Sequence, residues 1–359
     1  MSEILFSSYK LGKIEHKNRV VMSPMTRCRS PGNVPGDLVA EYYTKRAEAG
    51  LIVTEGTAPS PNGLGYARIP GLFNTEQAHA WRKITDSVHK AGGKIFVQLM
   101  HTGRTSHPLN MPAGARILAP SAVGLSGAMW TDQQQMQSYP VPTPMTAADI
   151  ESTLNEFAHS AVLAIEAGFD GIELHGANGY LIDQFLNTVT NKRTDEWGGN
   201  ISNRIRFAVE AAKRCVAKIG GDRVGIRVSP FGAFNDMGTD PQMEDTFEQL
   251  AGELSKLGLV YIHTVDHSAM GAPAVPQTVK DKIRRAFKDT IILSGGYDRA
   301  RAESDLAAKR GELIAFGRPF LSNPKLVSKM KLGKKLIEPD LSLNYTPGPK
   351  GYTDYPVEV

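Results

Sequence analysis

Only two cysteines, Cys28 and Cys215, occur in 359 residues. They are too few for a disulfide framework and suit a reducing compartment. Two thiols also cannot supply the four thiolates of an iron–sulfur cluster. No apolar run approaches the roughly 18 residues of a membrane-spanning helix. The start, Met1-Ser2-Glu3, lacks the charged-then-apolar pattern of a secretion signal, so a cytoplasmic protein is expected. Neither HExxH nor CxxC appears, and His16, His79, His89 and His159 have no ligand spacing, so no metal is expected. No GxGxxG opens the first strand–helix turn, which speaks against a doubly wound dinucleotide fold. Charge of one sign is lacking too. The 41 Lys and Arg stand against 37 Asp and Glu, and their scatter offers no nucleic-acid or membrane partner a footprint. The densest basic cluster, Lys329 to Lys335, reads as a solvated helix end.

What is present is a regular alternation. Short apolar, β-branched runs stand at Arg19–Met22, Leu51–Thr54, Lys94–Leu99, Gly171–Leu174, Arg223–Val228, Val260–Thr264, Thr290–Leu293 and Leu313–Phe316. Amphipathic helical patterns separate them at 37–49, 75–91, 147–167, 202–219, 243–257, 277–287, 298–309 and 323–331. Thr146 with Asp149, and Asp298, read as amino-terminal caps; Gly50, Gly92, Gly168 and Gly258 read as left-handed carboxyl caps. Eight such strand–helix units predict a TIM (β/α)8 barrel in one domain, residues 1–359. Residues before Arg19 should form a strand pair or lid at the barrel's amino-terminal mouth. The Pro- and Gly-rich stretch between Met100 and Thr146, after the third strand, should be an irregular insertion over the site.

In such a barrel only the carboxyl ends of the strands face one pocket. Polar residues collect there: Thr26, Gln98, His175 and Arg227 after or at the ends of strands one, three, four and five. Gly295, Gly296, Gly317 and Arg318 follow strands seven and eight, where barrels commonly bind phosphate. Glycines let backbone N–H groups approach an anion, and the guanidinium adds a bidentate contact. Tight turns and a surface ion pair explain the same residues equally simply. The fourth strand delivers His175, Asn178 and Tyr180 onto one loop, so an imidazole, an amide and a phenol offer donors for a substrate oxygen and a proton source. The charged segment Asn191–Asn200 reads as scaffold that locks this loop and caps the next helix at Ser202.

The run HGANGYLIDQFLNTVTNKRTDEWGGN from His175 to Asn200 resembles the signature of the Old Yellow Enzyme family. So do Ser23–Arg27 (SPMTR), Val97–Arg104 (VQLMHTGR), Arg227–Pro230 (RVSP), Ala315–Pro319 (AFGRP) and Gly351–Pro356 (GYTDYP), in family order across nearly the whole chain. Thr26 places the chain nearer the branch that includes pentaerythritol tetranitrate reductase, morphinone reductase and N-ethylmaleimide reductase, and the cysteine count sets it apart from the iron–sulfur branch. The resemblance implies an FMN-dependent ene-reductase that takes hydride from NADPH or NADH and passes it, ping-pong through flavin N5, to an alkene activated by a carbonyl or nitro group.

By the same resemblance, Pro24, Met25, Thr26, Ala58, Gln98 and Arg227 hold the flavin ring, with Thr26 tuning its potential, Gln98 pairing with the pyrimidine edge and Arg227 offsetting the charge gained on reduction. His175 and Asn178 would hold the substrate oxygen, and Tyr180 would give a proton to the α-carbon. Tyr66, Phe234 and Tyr345 would line the substrate side. Met100 stands where relatives often place Trp, and its thioether should widen the pocket. Without the resemblance, Gln98 reads as a satisfied core amide, Arg227 as half of an ion pair, and the three aromatics as lid packing. Two alternatives stand beside the reductase: a flavin-free, phosphate-binding barrel lyase or isomerase, and a non-catalytic flavin-binding protein. A small-molecule alkene partner and a monomer or weak homodimer complete the expectation.

Overall fold

The computed structural model describes residues 3–359, and its centre is a closed barrel of eight parallel strands. These are β1 (Val20–Met22), β2 (Leu51–Thr57), β3 (Ile95–Leu99), β4 (Gly171–Gly176), β5 (Val224–Val228), β6 (Tyr261–Val265), β7 (Thr290–Ser294) and β8 (Leu313–Phe316). The ring closes where Ile314 pairs with Val20. Every barrel residue in these strands is buried, because helices cover the outer face and side chains fill the lumen. That is why the strands read in sequence as continuous apolar runs rather than as alternation.

The main helices are α1 (Asp37–Thr44), α2 (Thr75–Lys90), α3 (Ala147–Glu166), α4 (Ile201–Ile219), α5 (Met243–Lys256), α6 (Gln277–Ala286), α7 (Arg299–Ala307) and α8 (Leu326–Lys331). In α2 the buried positions Gln77, Ala78, Trp81, Ile84, Thr85 and Val88 recur at three- and four-residue spacing, so one stripe faces the sheet. Thr146 and Asp149 close a reciprocal capping box at α3, and the Asp298 side chain accepts from Arg301 N–H at α7. The segment that ends at Asn200 caps α4 as expected: the Asn200 side chain accepts from Asn203 N–H, and the helix begins at Ile201, one residue before Ser202. Gly92, Gly168 and Gly258 are left-handed as expected. Gly50 is not. A Cβ there would lie 2.1 Å from the Asn18 carbonyl oxygen, so close approach, not a left-handed turn, demands the glycine.

Two apolar layers result. One lies between barrel and helices; the other fills the lumen with Val21, Leu51, Val53, Phe96, Tyr261, Ile292, Leu313 and Ala315. The residues before β1 form an antiparallel hairpin, Tyr9–Leu11 with Ile14–His16, and Leu11 plugs the lumen from below. The insertion after β3 is less featureless than its composition suggests, holding the hairpin Ala128–Thr131/Gln135–Ser138 and the pair Leu118–Ala119/Thr143–Pro144. No helix among the described residues is long and apolar enough to cross a membrane.

At the carboxyl rim the tail returns to the first loop. Arg27 Nη2 donates to Gly351 O at 2.7 Å, and Arg29 donates to the carbonyls of Leu343, Asn344, Gly348 and Lys350. Tyr352 stacks on Tyr42 with centroids 4.1 Å apart, and both arginines lie over its ring. This clamp fixes the loop that carries Thr26.

Candidate active site

A cavity of about 910 Å3 opens at the carboxyl rim. Its walls bring together Pro24, Met25, Thr26, Tyr66, Gln98, His175, Asn178, Tyr180, Arg227, Phe234, Gly295, Gly296, Gly317, Arg318 and Tyr345, which are distant in sequence. Two expected residues are elsewhere. Ala58 and Met100 are buried in a small apolar cluster with Cys28, Leu64, Ile69 and Tyr180, and neither is on the cavity wall. The Met100 sulfur lies where a side chain on Gly56 would stand, so the thioether fills space beside β2.

The polar side of the cavity follows from strand alternation. His175 pairs in register with Arg227, Arg227 with His263, and Glu173 with Gln98, so all five side chains share the inner face. Glu173 is fully buried and accepts from Gln98 Nε2 at 2.8 Å, His263 Nδ1 at 2.9 Å and Tyr261 Oη at 3.0 Å. Burial alone would raise its carboxyl, but His263, Arg227 and Gln98 together hold it below the usual range. Burial lowers His263, which therefore stays neutral and donates through Nδ1. Arg227 is buried with its Nε unpaired; burial lowers its guanidinium and Glu173 opposes that, leaving a cation with donors to spare.

The loop after β4 runs through two consecutive left-handed residues, Asn178 (φ 61°) and Gly179 (φ 75°). Asn178 N–H donates to Ser229 Oγ at 2.8 Å, and Gly179 N–H to Asp183 Oδ2 at 2.9 Å. A Cβ on Gly179 would sit 2.9 Å from the Phe234 carbonyl oxygen, so glycine is required there. Held this way, the Asn178 side chain keeps its Oδ1 buried and unpaired. His175 Nδ1 accepts from Ala177 N–H at 3.3 Å, which leaves its proton on Nε2; burial and the neighbouring Arg227 hold the ring well below its ordinary value, so it is neutral. Burial pushes the Tyr180 phenol up to about 12, with the Tyr66 hydroxyl 3.0 Å away, so it keeps its proton at neutral pH. Cys28 is likewise pushed up to about 12 by burial and is an inert core thiol.

The other end of the cavity is rich in glycine. Gly295 (φ 128°) and Gly296 (φ 63°) follow β7, and Gly317 precedes Arg318, the first residue of a short helix. A Cβ on Gly295 would meet the Asp266 carbonyl oxygen at 2.2 Å. Ser294 and Ser23 complete this end.

Sequence reading missed Glu173, Asp183, Ser229 and His263. Glu173 and His263 had a signal: charged or titratable residues spaced by two from His175 and Tyr261 in strands otherwise apolar. Asp183 and Ser229 carried none, since only the folded loop brings them together.

An isoalloxazine fits these residues. One side carries an unpaired buried guanidinium and an amide, and the far end carries glycine backbone suited to an anion. Among the described residues no group of three His, Cys, Asp or Glu is placed to hold a metal.

The model of the NADH:flavin oxidoreductase / NADH oxidase family matches residues 4–336. The 12-oxophytodienoate reductase 7 of Oryza sativa subsp. japonica is 38% identical, over 98% of this chain and 94% of its own. The "Probable flavin mononucleotide-dependent alkene reductase" of Leishmania infantum is 38% identical over 99% and 97%. Among solved structures, morphinone reductase superposes with a TM-score of 0.94 at 39% identity, covering 98% of this chain and 96% of its own. The same protein in complex with tetrahydroNAD gives 0.93 at 39% identity, over 98% and 97%.

Proposed function

This chain belongs to the NADH:flavin oxidoreductase / NADH oxidase family, in its Old Yellow Enzyme branch, and from that premise we propose how the rim works. The protein is an FMN-dependent ene-reductase acting on small activated alkenes with a nicotinamide co-substrate. Bound FMN supplies hydride transfer at N5, from NADPH or NADH in one half-reaction and to the β-carbon of an alkene conjugated to a carbonyl or nitro group in the other.

The residues do the rest. Arg227 offsets the negative charge that reduction places on the pyrimidine side, in a site where water does not screen it. Gln98 presents its amide to the same edge, Thr26 meets the ring from the tail-clamped loop, and Pro24 and Met25 support it. Backbone N–H groups at Gly295, Gly296 and Gly317, with Arg318, hold the phosphate. His175 donates through Nε2, and Asn178 through its amide, to the substrate oxygen as charge gathers there. Tyr180 gives its proton to the α-carbon; its raised phenol makes it an acid that releases only to a strongly basic carbon. Tyr66, Phe234 and Tyr345 bound the substrate side. A single domain, working as a monomer or weak homodimer in the cytoplasm, belongs to the same reading, and two free buried cysteines support a reducing compartment.

The observation that carries the reading is convergence: His175, Asn178 and Tyr180 share one cavity with the unpaired Arg227 and the glycine end. Purified protein should be yellow and release FMN on denaturation. Anaerobic NADPH should bleach it, and 2-cyclohexenone should restore the colour. Colourless protein that binds no added FMN, or bleached protein that the enone leaves unchanged, overturns the assignment.

A further inference from the structure

Beneath the polar side of the cavity lies a carboxylate that reaches neither solvent nor the cavity itself, one layer behind the wall residue Gln98. Glu173 is fully buried, two residues before His175 on the same face of β4, and does not line the pocket. A lone buried carboxylate is costly. Three side chains from two other strands converge on this one: Gln98 from β3, and Tyr261 and His263 from β6. Packing alone does not call for an acid here, since Phe96, Ile292 and Leu313 fill the same lumen with hydrocarbon.

The amide gives the first consequence. A carboxylate only accepts, so only the NH2 end of Gln98 can face it. One N–H is committed to Glu173, and the second N–H and the carbonyl oxygen are left in a defined sense for whatever lies above. Charge gives the second. Among the described residues Arg227 has no carboxylate in direct contact, yet it stands diagonally across the β4–β5 pairing from Glu173 and feels its charge. Opposite charges on adjacent strands of a water-poor lumen interact more strongly than they would in water.

We propose that Glu173 is a positioning residue of the flavin site: it fixes which end of the Gln98 amide meets the flavin pyrimidine, and its negative charge behind Arg227 tempers how strongly that arginine favours the reduced cofactor. The inference rests on the reading of Gln98 and Arg227 as flavin contacts. Its signature is a reduction potential, which a merely structural acid would not set in a signed way.

The test compares FMN-loaded wild type, Glu173→Gln and Tyr261→Phe by anaerobic spectroelectrochemistry, with FMN dissociation constants from fluorescence. Glu173→Gln removes the anion and leaves Arg227 unopposed. The oxidised–reduced equilibrium should then move about tenfold toward reduced, ~30 mV upward for a two-electron couple, and FMN should bind several-fold more weakly because Gln98 is no longer pinned. Tyr261→Phe keeps the charge but removes one donor from it, so the potential should move downward, by about threefold in the equilibrium. Opposite signs support the proposal. Shifts of the same sign, or a Glu173→Gln potential within the error of wild type, overturn it. If Glu173→Gln does not fold, Tyr261→Phe decides alone: a downward shift supports the proposal, and no shift or an upward one overturns it. Wild type that binds no FMN defeats the flavin reading itself; yellow wild type with unmoved variants defeats only the role of Glu173.

Discussion

From β3 round to β6 the barrel rim is crowded with side chains: Gln98, His175 and Arg227, backed by Glu173 and His263. From β7 through β8 to β1 it carries Ser294, Gly295, Gly296, Gly317 and Ser23, small residues beside which Arg318 and Thr26 supply the polar side chains. The first arc spends buried hydrogen-bonding capacity. Glu173 has partners on both oxygens, while Arg227 Nε and Asn178 Oδ1 are left over. The second arc spends conformation, with φ of 128° and 63° at its two central glycines. Leftover hydrogen bonds are what a ligand can use, whereas strained backbone holds only while the surrounding fold enforces it. Damage to the polar arc should therefore strike chemistry and spare the fold, and damage to the glycine arc should strike both.

The sharpest separation is expected at Tyr180. Tyr180→Phe should slow reoxidation by the alkene by about 10²–10⁴-fold while leaving flavin reduction by the nicotinamide nearly unchanged in stopped-flow traces. Equal slowing of both half-reactions would strip Tyr180 of its proton-donor role. Next comes the glycine arc. Gly295→Ala combines a left-handed backbone with a 2.2 Å approach to the Asp266 carbonyl, and should cost on the order of 3 kcal/mol in unfolding free energy along with FMN retention. Gly317→Ala has 3.6 Å to its nearest neighbour and no positive φ, so it should cost under ~1 kcal/mol. Urea titrations that rank the two equally would remove the basis of the comparison.

Asn178→Ala should lower kcat/KM for the alkene by about 10²-fold and, because Ala tolerates φ 61° less well than Asn, lower stability by ~1 kcal/mol. Activity that stays near wild type in the folded variant would move Asn178 out of the chemical arc.

The smallest effect concerns the support of that loop. Burial pushes the Asp183 carboxyl up to about 7, opposed by Gly179 N–H and Ser229. Because the folded value lies above that of an unfolded Asp, the folded chain holds the proton more tightly; this contribution is full below about pH 4 and is lost as the pH rises toward 7. Asp183→Asn removes the slope. Relative to wild type, the variant's unfolding free energy should gain on the order of 2 kcal/mol between pH 5 and pH 8. A difference that does not change with pH would mean that the carboxyl titrates elsewhere.

Much of this was legible in the residues because parallel strands buried on both faces announce themselves as apolar runs of fixed length. Helix starts were legible where a side chain makes the cap, as at Thr146 and Asp298. Gly50 was misread because its need comes from Asn18, 32 positions earlier in the chain and adjacent only in the barrel. Ala58 and Met100 were given site roles by resemblance, and the apolar cluster that buries them is assembled from Cys28, Leu64, Ile69 and Tyr180, residues of three different loops that local pattern does not bring together. Glu173 was hidden for a related reason. Within one strand it looks like an interruption, and its meaning appears only when Gln98, Tyr261 and His263 arrive from neighbouring strands.

The tail clamp has a consequence for the order in which the protein can be finished. Arg27 and Arg29 are translated well over 300 residues before the carbonyls that receive them, which belong to residues 343–351. At about 5–20 residues per second, ribosomes need tens of seconds to cover that interval. Throughout it the loop bearing Thr26 lacks its tail clamp and β1 has no β8 to pair with. Cofactor capture therefore waits on residues 313–351, the last parts of the site to be made.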